Sequence, residues 1–270
     1  MFDVSRYRIS EANPVSLDSY DPGSKEGFEG GKAEGKEALH DLRKKLSALQ
    51  RRLWAESSQK LLVILQAIDT GGKDGTIRHV FSGVNPQGVR VYSYGKPSET
   101  EIAHDYLWRI HHNTPANGLI TIFNRSHYED VLVVRVKGLA PESVWEKRYQ
   151  HINDFERMLT DEGTTIVKIF LFISKDEQRQ RLQARLDEPD QTWKFHLSDL
   201  DDRALWDDYQ AAFEAMISRT ATEYAPWYVV PANRRWYRNV VVSSILIQTL
   251  EKMNPQLPPP EPGLDGLVVQ

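Results

Sequence analysis

One stretch constrains this chain more than any other: Leu61-Leu62-Val63-Ile64-Leu65-Gln66-Ala67-Ile68-Asp69-Thr70-Gly71-Gly72-Lys73-Asp74-Gly75-Thr76. An apolar run of strand length meets a glycine pair, a lysine and a segment that reads as a helix. That is the layout of a phosphate-cradling loop. Glycines let backbone N–H groups approach phosphate oxygens, the helix N-terminus adds a positive dipole, and the lysine adds a point charge. Gly71, Gly72, Lys73, Gly75 and Thr76 are the expected phosphate contacts. Two positions depart from the usual nucleoside-triphosphate loop. Ala67 stands where a first glycine is expected, and Asp74 where a magnesium-binding Ser or Thr follows the lysine. A carboxylate, Asp69, lies inside the loop instead, so a metal must be held differently here. The plainer alternative is a tight glycine turn without a ligand. Lys73 argues against it, because a lysine beside two glycines at a helix start has no packing purpose.

The rest of the chain alternates strands with helices. Leu39, Leu42, Leu46, Leu49 and Leu53 recur at steps of three and four and predict a helix over 34–57. Strands are expected at 61–67, 89–92, 118–123, 165–172 and 227–230. Ser98 with Glu101, and Ser174 with Glu177, have capping-box spacing and open helices to about 110 and 186. Further helices are expected over 141–159, 199–219 and 233–252. This order predicts a mostly parallel sheet with helices on both faces, and it brings residues 69–76 and 124–130 to one sheet edge. Residues 1–33 read as an irregular arm, and 253–270 as a loose proline-rich tail.

Composition narrows the function. The 270 residues are 40% hydrophobic, carry a net charge of −4 and include no cysteine. Disulfides, thiolate metal sites and cysteine nucleophiles are excluded, and any polyanion must meet a local basic groove on an acidic protein. The start lacks a signal-peptide core, and no apolar run is long enough to span a bilayer. A cytoplasmic protein with no membrane or nucleic-acid partner is expected.

Two more segments carry chemistry. After the 118–123 strand comes Asn124-Arg125-Ser126-His127-Tyr128-Glu129-Asp130. Arg125 can fork two phosphate oxygens, and Glu129 and Asp130 are hard oxygen ligands suited to magnesium. Acids are also welcome in an ordinary first helical turn, so both readings stand. His127 could touch phosphate. Between Lys175 and Lys194, basic and acidic residues balance, which usually means a solvated helix. Yet Arg181 and Arg185, four apart, share a face that would suit a lid over phosphates.

With those residues in hand, the chain resembles the second family of polyphosphate kinases, class III. The matching stretches are 66–80, 82–88, 123–134, 145–149, 185–187, 193–195, 206–209 and 225–231, within a likeness running from about residue 20 to 250. The resemblance implies a P-loop kinase fold like that of thymidylate kinase, as one phosphotransferase domain over 34–252 with a helical lid at about 174–197. It implies a metal-binding role for Asp69, phosphate contacts for Lys73 and Arg125, and a lid role for Arg185 on the phosphate chain. Asn124 replaces an aspartate that many relatives outside class III use for metal, which shifts that role toward Asp130. Glu129 matches a glutamate associated with acceptance of nucleoside monophosphates.

The implied activity is magnesium-dependent transfer of the terminal phosphoryl group of inorganic polyphosphate to ADP and AMP, reversibly from ATP, with manganese as a substitute metal. Asp69, Lys73, Arg125 and Asp130 are the expected catalytic group, with metal at Asp69 and Asp130. A homo-oligomer is expected, with the 34–57 helix as a candidate contact. An ATP-dependent nucleoside monophosphate kinase and a non-enzymatic polyanion-binding module are the alternatives. Asp74 weighs against the first. The acids Asp69, Glu129 and Asp130 weigh against the second, because they repel a polyanion unless a metal joins them.

Overall fold

The computed structural model of the chain describes residues 2–11, 13–264 and 266–269. Its strands are β1 (Arg8–Ile9), β2 (Lys60–Gln66), β3 (Val89–Ser93), β4 (Ile120–Asn124), β5 (Thr164–Phe172) and β6 (Trp227–Pro231). They form one sheet in the order β1-β6-β5-β2-β4-β3. All pairings are parallel except the short edge pair of β1 with β6. The helices are α1 (Lys32–Glu56), α2 (Lys73–Val80), α3 (Glu99–Ile102), α4 (Trp108–His111), α5 (Val133–Val136), α6 (Glu142–Asp161), α7 (Lys175–Asp187), α8 (Ser198–Ala204), α9 (Trp206–Thr220) and α10 (Arg235–Met253). Six of them form two packed groups, α1 with α2 and α10, and α5 with α6 and α9.

β2 is central, and Leu61 to Leu65 are wholly buried, as an apolar strand covered on both faces must be. β4 runs beside it in parallel, with Leu65 level with Asn124. The loops that follow these two strands therefore leave the sheet side by side. The Arg125 N–H extends the ladder by one bond, to the Leu65 carbonyl at 3.1 Å. Ligands of open parallel sheets bind at such strand ends.

Four local expectations change, the first being that the helix expected over 199–219 divides at Leu205 into α8 and α9. The N-terminal arm is built into the fold: β1 adds an antiparallel edge strand, and Val4, Tyr7 and Leu17 are buried. The helix expected from Ser98 breaks into the single turns α3 and α4. Asp105 accepts from the Leu107 N–H at 2.9 Å, a local bond that competes with helix continuation. The leucine stripe of α1 is spent on α10 and the core, with Leu46 and Leu53 wholly buried, so that apolar face is not free for a second subunit. Past Met253, the described part of the tail has no helix or strand.

Candidate active site

The loop after β2 is held in a strained shape. Gly71 closes a turn by donating to the Ile68 carbonyl at 3.0 Å. Thr70 and Gly72 sit at φ 61° and 98°, left-handed backbone that non-glycine residues adopt at a cost. A Cβ on Gly71 would lie 2.4 Å from the Ala67 methyl, and one on Gly72 would lie 2.1 Å from Arg238 Nη1. Gly71 is therefore required by close approach, and Gly72 by its left-handed backbone. Lys73 opens α2 and folds back over the loop, donating to the Ala67 carbonyl at 2.9 Å. Burial, with Arg125 nearby, lowers its pKa to about 8. Thr76 is buried, and its hydroxyl donates to the Gly72 carbonyl at 3.0 Å, so it shapes the helix start from inside.

The loop after β4 faces the first. Arg125 also takes left-handed backbone, at φ 62°. Its guanidinium stands 3.8 Å from Asp69, on whose other oxygen Arg185 of α7 closes to 3.1 Å. Asp69 is thus a carboxylate between two arginines. Arg185 also reaches Asp199 of α8 at 3.4 Å and the Lys194 carbonyl at 3.3 Å, which binds the α7–α8 segment over the loop. Asn124 donates to Asp74 at 2.6 Å and tethers α2 to the end of β4. Gln66, oriented to satisfy its neighbours, donates to Glu129 at 3.0 Å and accepts from Ser126 Oγ at 3.1 Å.

Around these groups opens a cleft of about 870 Å³, and eleven lysines and arginines line it against three carboxylates. The excess of positive charge selects an anion. Lys32, Lys36 and Arg43 enter from α1, Arg78 from α2, and Arg235 and Arg238 from α10. Arg238 is 2% exposed, and its donors reach only Asn239, with no carboxylate partner among the described residues. Burial, with Arg181 and Arg235 close by, lowers its pKa to about 9.

A family model described as Polyphosphate kinase 2 matches residues 29–258. The chain belongs to the polyphosphate kinase 2 family. It is 59% identical over 267 residues to the AMP/ADP-polyphosphate phosphotransferase of Meiothermus ruber, covering 99% of this chain and 100% of that one. It is 43% identical to the ADP-polyphosphate phosphotransferase of Rhodopseudomonas palustris, covering 96% and 94%. The crystal structure of polyphosphate kinase 2 from Arthrobacter aurescens TC1 matches with a TM-score of 0.91 at 45% identity, over 95% of this chain and 92% of that one. The fold is accordingly that of a P-loop kinase.

Among the site residues expected for a polyphosphate kinase 2, the structure gathers Asp69, Gly72, Lys73, Gly75, Arg125, Arg181 and Arg185 at the cleft. It sets others apart. Asp130 does not line the cleft; Arg148 holds it at 3.0 Å, and burial raises its pKa to about 6. Asp130 is thus paired with Arg148, and a metal role for it beside Asp69 would require Arg148 to give way. Arg181 is spent on the protein: it donates to Glu177 and to the carbonyls of Thr70, Ala232 and Asn233, at 2.7, 2.9, 2.6 and 3.2 Å. It anchors the strained loop rather than reaching over it. His127, buried beside Glu156, cannot touch a phosphate in the cleft.

The basic residues of α1 and α10 escaped sequence reasoning. A signal was present, since Lys32, Lys36 and Arg43 lie on the helical face that also holds Leu39, and Arg238 interrupts an apolar helix. The leucine periodicity of α1 masked the first. Among the described residues, no group of three or more His, Asp or Glu side chains is placed to hold a metal. Asp69 still fits magnesium, which commonly takes one or two carboxylates and completes its shell with substrate phosphates and water.

Proposed function

We propose that this polyphosphate kinase 2 enzyme moves the terminal phosphoryl group of inorganic polyphosphate onto ADP and AMP, and runs the same step backwards from ATP. The observation that carries the reading is the basic cleft. Its cations spread from α1 across the loop to α10 and α7, a wider field than one nucleotide needs and one suited to a polyphosphate chain. Asp74 supports polyphosphate over ATP as the donor in the forward direction. It occupies the place of a metal-binding hydroxyl and is tied to Asn124.

The attacking group is a phosphate oxygen already ionised at neutral pH, so no general base is required. The task is alignment and neutralisation of charge on the transferred group. Lys73 and Arg125 meet that group from opposite loops. Arg185 grips the donor chain from the lid, and Arg238 braces it beside Gly72. Asp69 would hold a divalent cation, magnesium or manganese, together with phosphate oxygens. Bound there, the cation would neutralise charge on the phosphates. Asp130 stays paired with Arg148 and supports the turn. Glu129, anchored by Gln66, governs acceptor range by repositioning the shorter monophosphate. The AMP/ADP activity named for the Meiothermus ruber relative supports an AMP acceptor. The enzyme is proposed to be cytoplasmic, and no described helix is long and apolar enough to cross a membrane. It is proposed to form a homo-oligomer, which sedimentation velocity tests.

One assay decides the activity. Polyphosphate and AMP with magnesium, and no ATP, should yield ADP and then ATP. No product would refute the reading, and product only when ATP is added would make the protein an ATP-dependent kinase. Glu129→Asn should lower the AMP rate about tenfold more than the ADP rate, a difference of about 1.4 kcal/mol. Equal losses would remove Glu129 from acceptor choice.

A further inference from the structure

Beneath the Arg125 turn lies a charged cluster that never meets solvent. Lys168 of β5, Glu156 of α6 and His127 are each 0% exposed. The Lys168 ammonium has three protons and meets three acceptors on three different elements. These are Glu156 Oε2 at 2.6 Å, Tyr128 Oη at 3.0 Å and the Thr220 carbonyl at the end of α9 at 2.6 Å. Glu156 Oε1 accepts from Tyr128 Oη at 2.7 Å and faces His127 Nε2 at 3.4 Å. Burial alone pushes the Glu156 carboxyl up, and Lys168 beside it outweighs that and holds it below its usual range. Burial pushes His127 down, so its Nε2–H donates from a neutral ring.

Such a cluster is a poor choice for stability alone. Desolvating two charges costs so much that well-packed apolar side chains often serve as well or better. What charges supply and leucines do not is direction, since each bond fixes an angle as well as a contact. Here the direction is delivered to one turn. Residues 126–128 point inward to the cluster and to Gln66, while Arg125, immediately before them, faces the cleft. Arg125 holds φ 62°, and a non-glycine residue stays there only where its surroundings over-determine it.

We propose that Lys168, Glu156 and Tyr128 are positioning residues for phosphoryl transfer, a buried joint between β5, α6 and α9 that fixes the turn presenting Arg125 to the transferring phosphate. This rests on the role given above to Arg125. Polyphosphate affinity is set elsewhere, on α1, α7 and α10, so the joint governs turnover more than binding.

The test is a double-mutant cycle of Tyr128→Phe with Arg125→Lys, read as kcat and KM for polyphosphate at a temperature well below unfolding. Tyr128→Phe keeps the ring and removes the shorter link between turn and ion pair, leaving the longer His127 contact at 3.4 Å. Alone it should lower kcat about tenfold or more and leave KM within about twofold. In the Arg125→Lys background the same change should cost less than about twofold, because the group it positions is already displaced. Equal losses in both backgrounds, or an unchanged kcat, would overturn the proposal and leave the cluster a structural one. Arg125→Lys with wild-type kcat would overturn it by removing Arg125 from the chemistry, a failure of the earlier reading and recognisable as such. Should Tyr128→Phe not fold, Glu156→Gln enters the same cycle with the same expected outcomes.

Discussion

Lys73 shows how one residue's surroundings set its chemistry. It is needed as a cation, yet burial and Arg125 lower its pKa to about 8. A bound polyanion favours the ammonium, so binding should take up protons above that value, and affinity should fall as pH rises through about 8. Calorimetry at about pH 9 in buffers of different ionisation enthalpy reads the uptake directly, and Lys73→Met should reduce it, leaving the share of Arg238, whose pKa is lowered to about 9. The same shift affects stability. Between about pH 8 and the ordinary lysine value the unfolded chain holds more protons, so this residue's contribution makes stability rise with pH there. Arg238 is the companion case. A guanidinium buried between Arg181 and Arg235, without a carboxylate partner among the described residues, is tolerable if an anion arrives. Arg238→Met should leave the melting temperature equal or higher, and weaken polyphosphate binding about tenfold, or about 1.4 kcal/mol. Unchanged binding would remove it from the donor path.

At the scale of elements, the α7–α8 segment, the proposed lid, is latched to the loop after β2 through Arg185. Arg185 spends one terminal nitrogen, with its two protons, on Asp69, Asp199 and the Lys194 carbonyl together. Burial raises the Asp199 pKa, so its share of the latch weakens as pH falls toward that raised value. Partly exposed pairs of this kind are worth about 0.2–1 kcal/mol. Asp199→Asn should therefore strengthen polyphosphate binding, by about two- to fivefold, and speed hydrogen exchange in α7 of the empty protein. Weaker binding would show Asp199 to orient Arg185 instead. Ser174 illustrates a division of labour in the same helix. It caps the Glu177 N–H as its spacing predicts, while the Glu177 side chain turns away to Arg181, which holds the Thr70 carbonyl.

For the whole molecule the governing fact is charge segregation. The chain carries a net charge of −4, yet eleven cations line the cleft. A polyphosphate neutralised there releases its counterions, as a nucleic acid does, and affinity should fall steeply with salt. If about five phosphates are neutralised, a fourfold rise in salt should cost about a hundredfold. AMP, with one phosphate, should show a far shallower slope. Equal slopes for the two ligands would mean that polyphosphate contacts the cleft through its end alone.

The sequence by itself determined the strand–loop–helix around Lys73, the alternation that makes the parallel sheet, and the meeting of the Asp69 and Arg125 loops. Those features are local: apolar runs, glycine pairs and cap spacings act over a few residues, and parallel connection carries both loops to one edge. Tertiary structure alone decided which charges were free. Arg181 and Arg185 share a helix face, yet Arg181 is consumed by carbonyls of two loops while Arg185 remains at the cleft. Asp130 and Asp69 look alike as ligands in the sequence, and only the tertiary structure brings Arg148, supplied by α6, against the first. Lys168 and Glu156 read as ordinary members of a strand and a helix, and only their packing made them a buried pair. Partner choice among charged side chains depends on distances between segments far apart in the chain, and spacing along one segment carries no information about that.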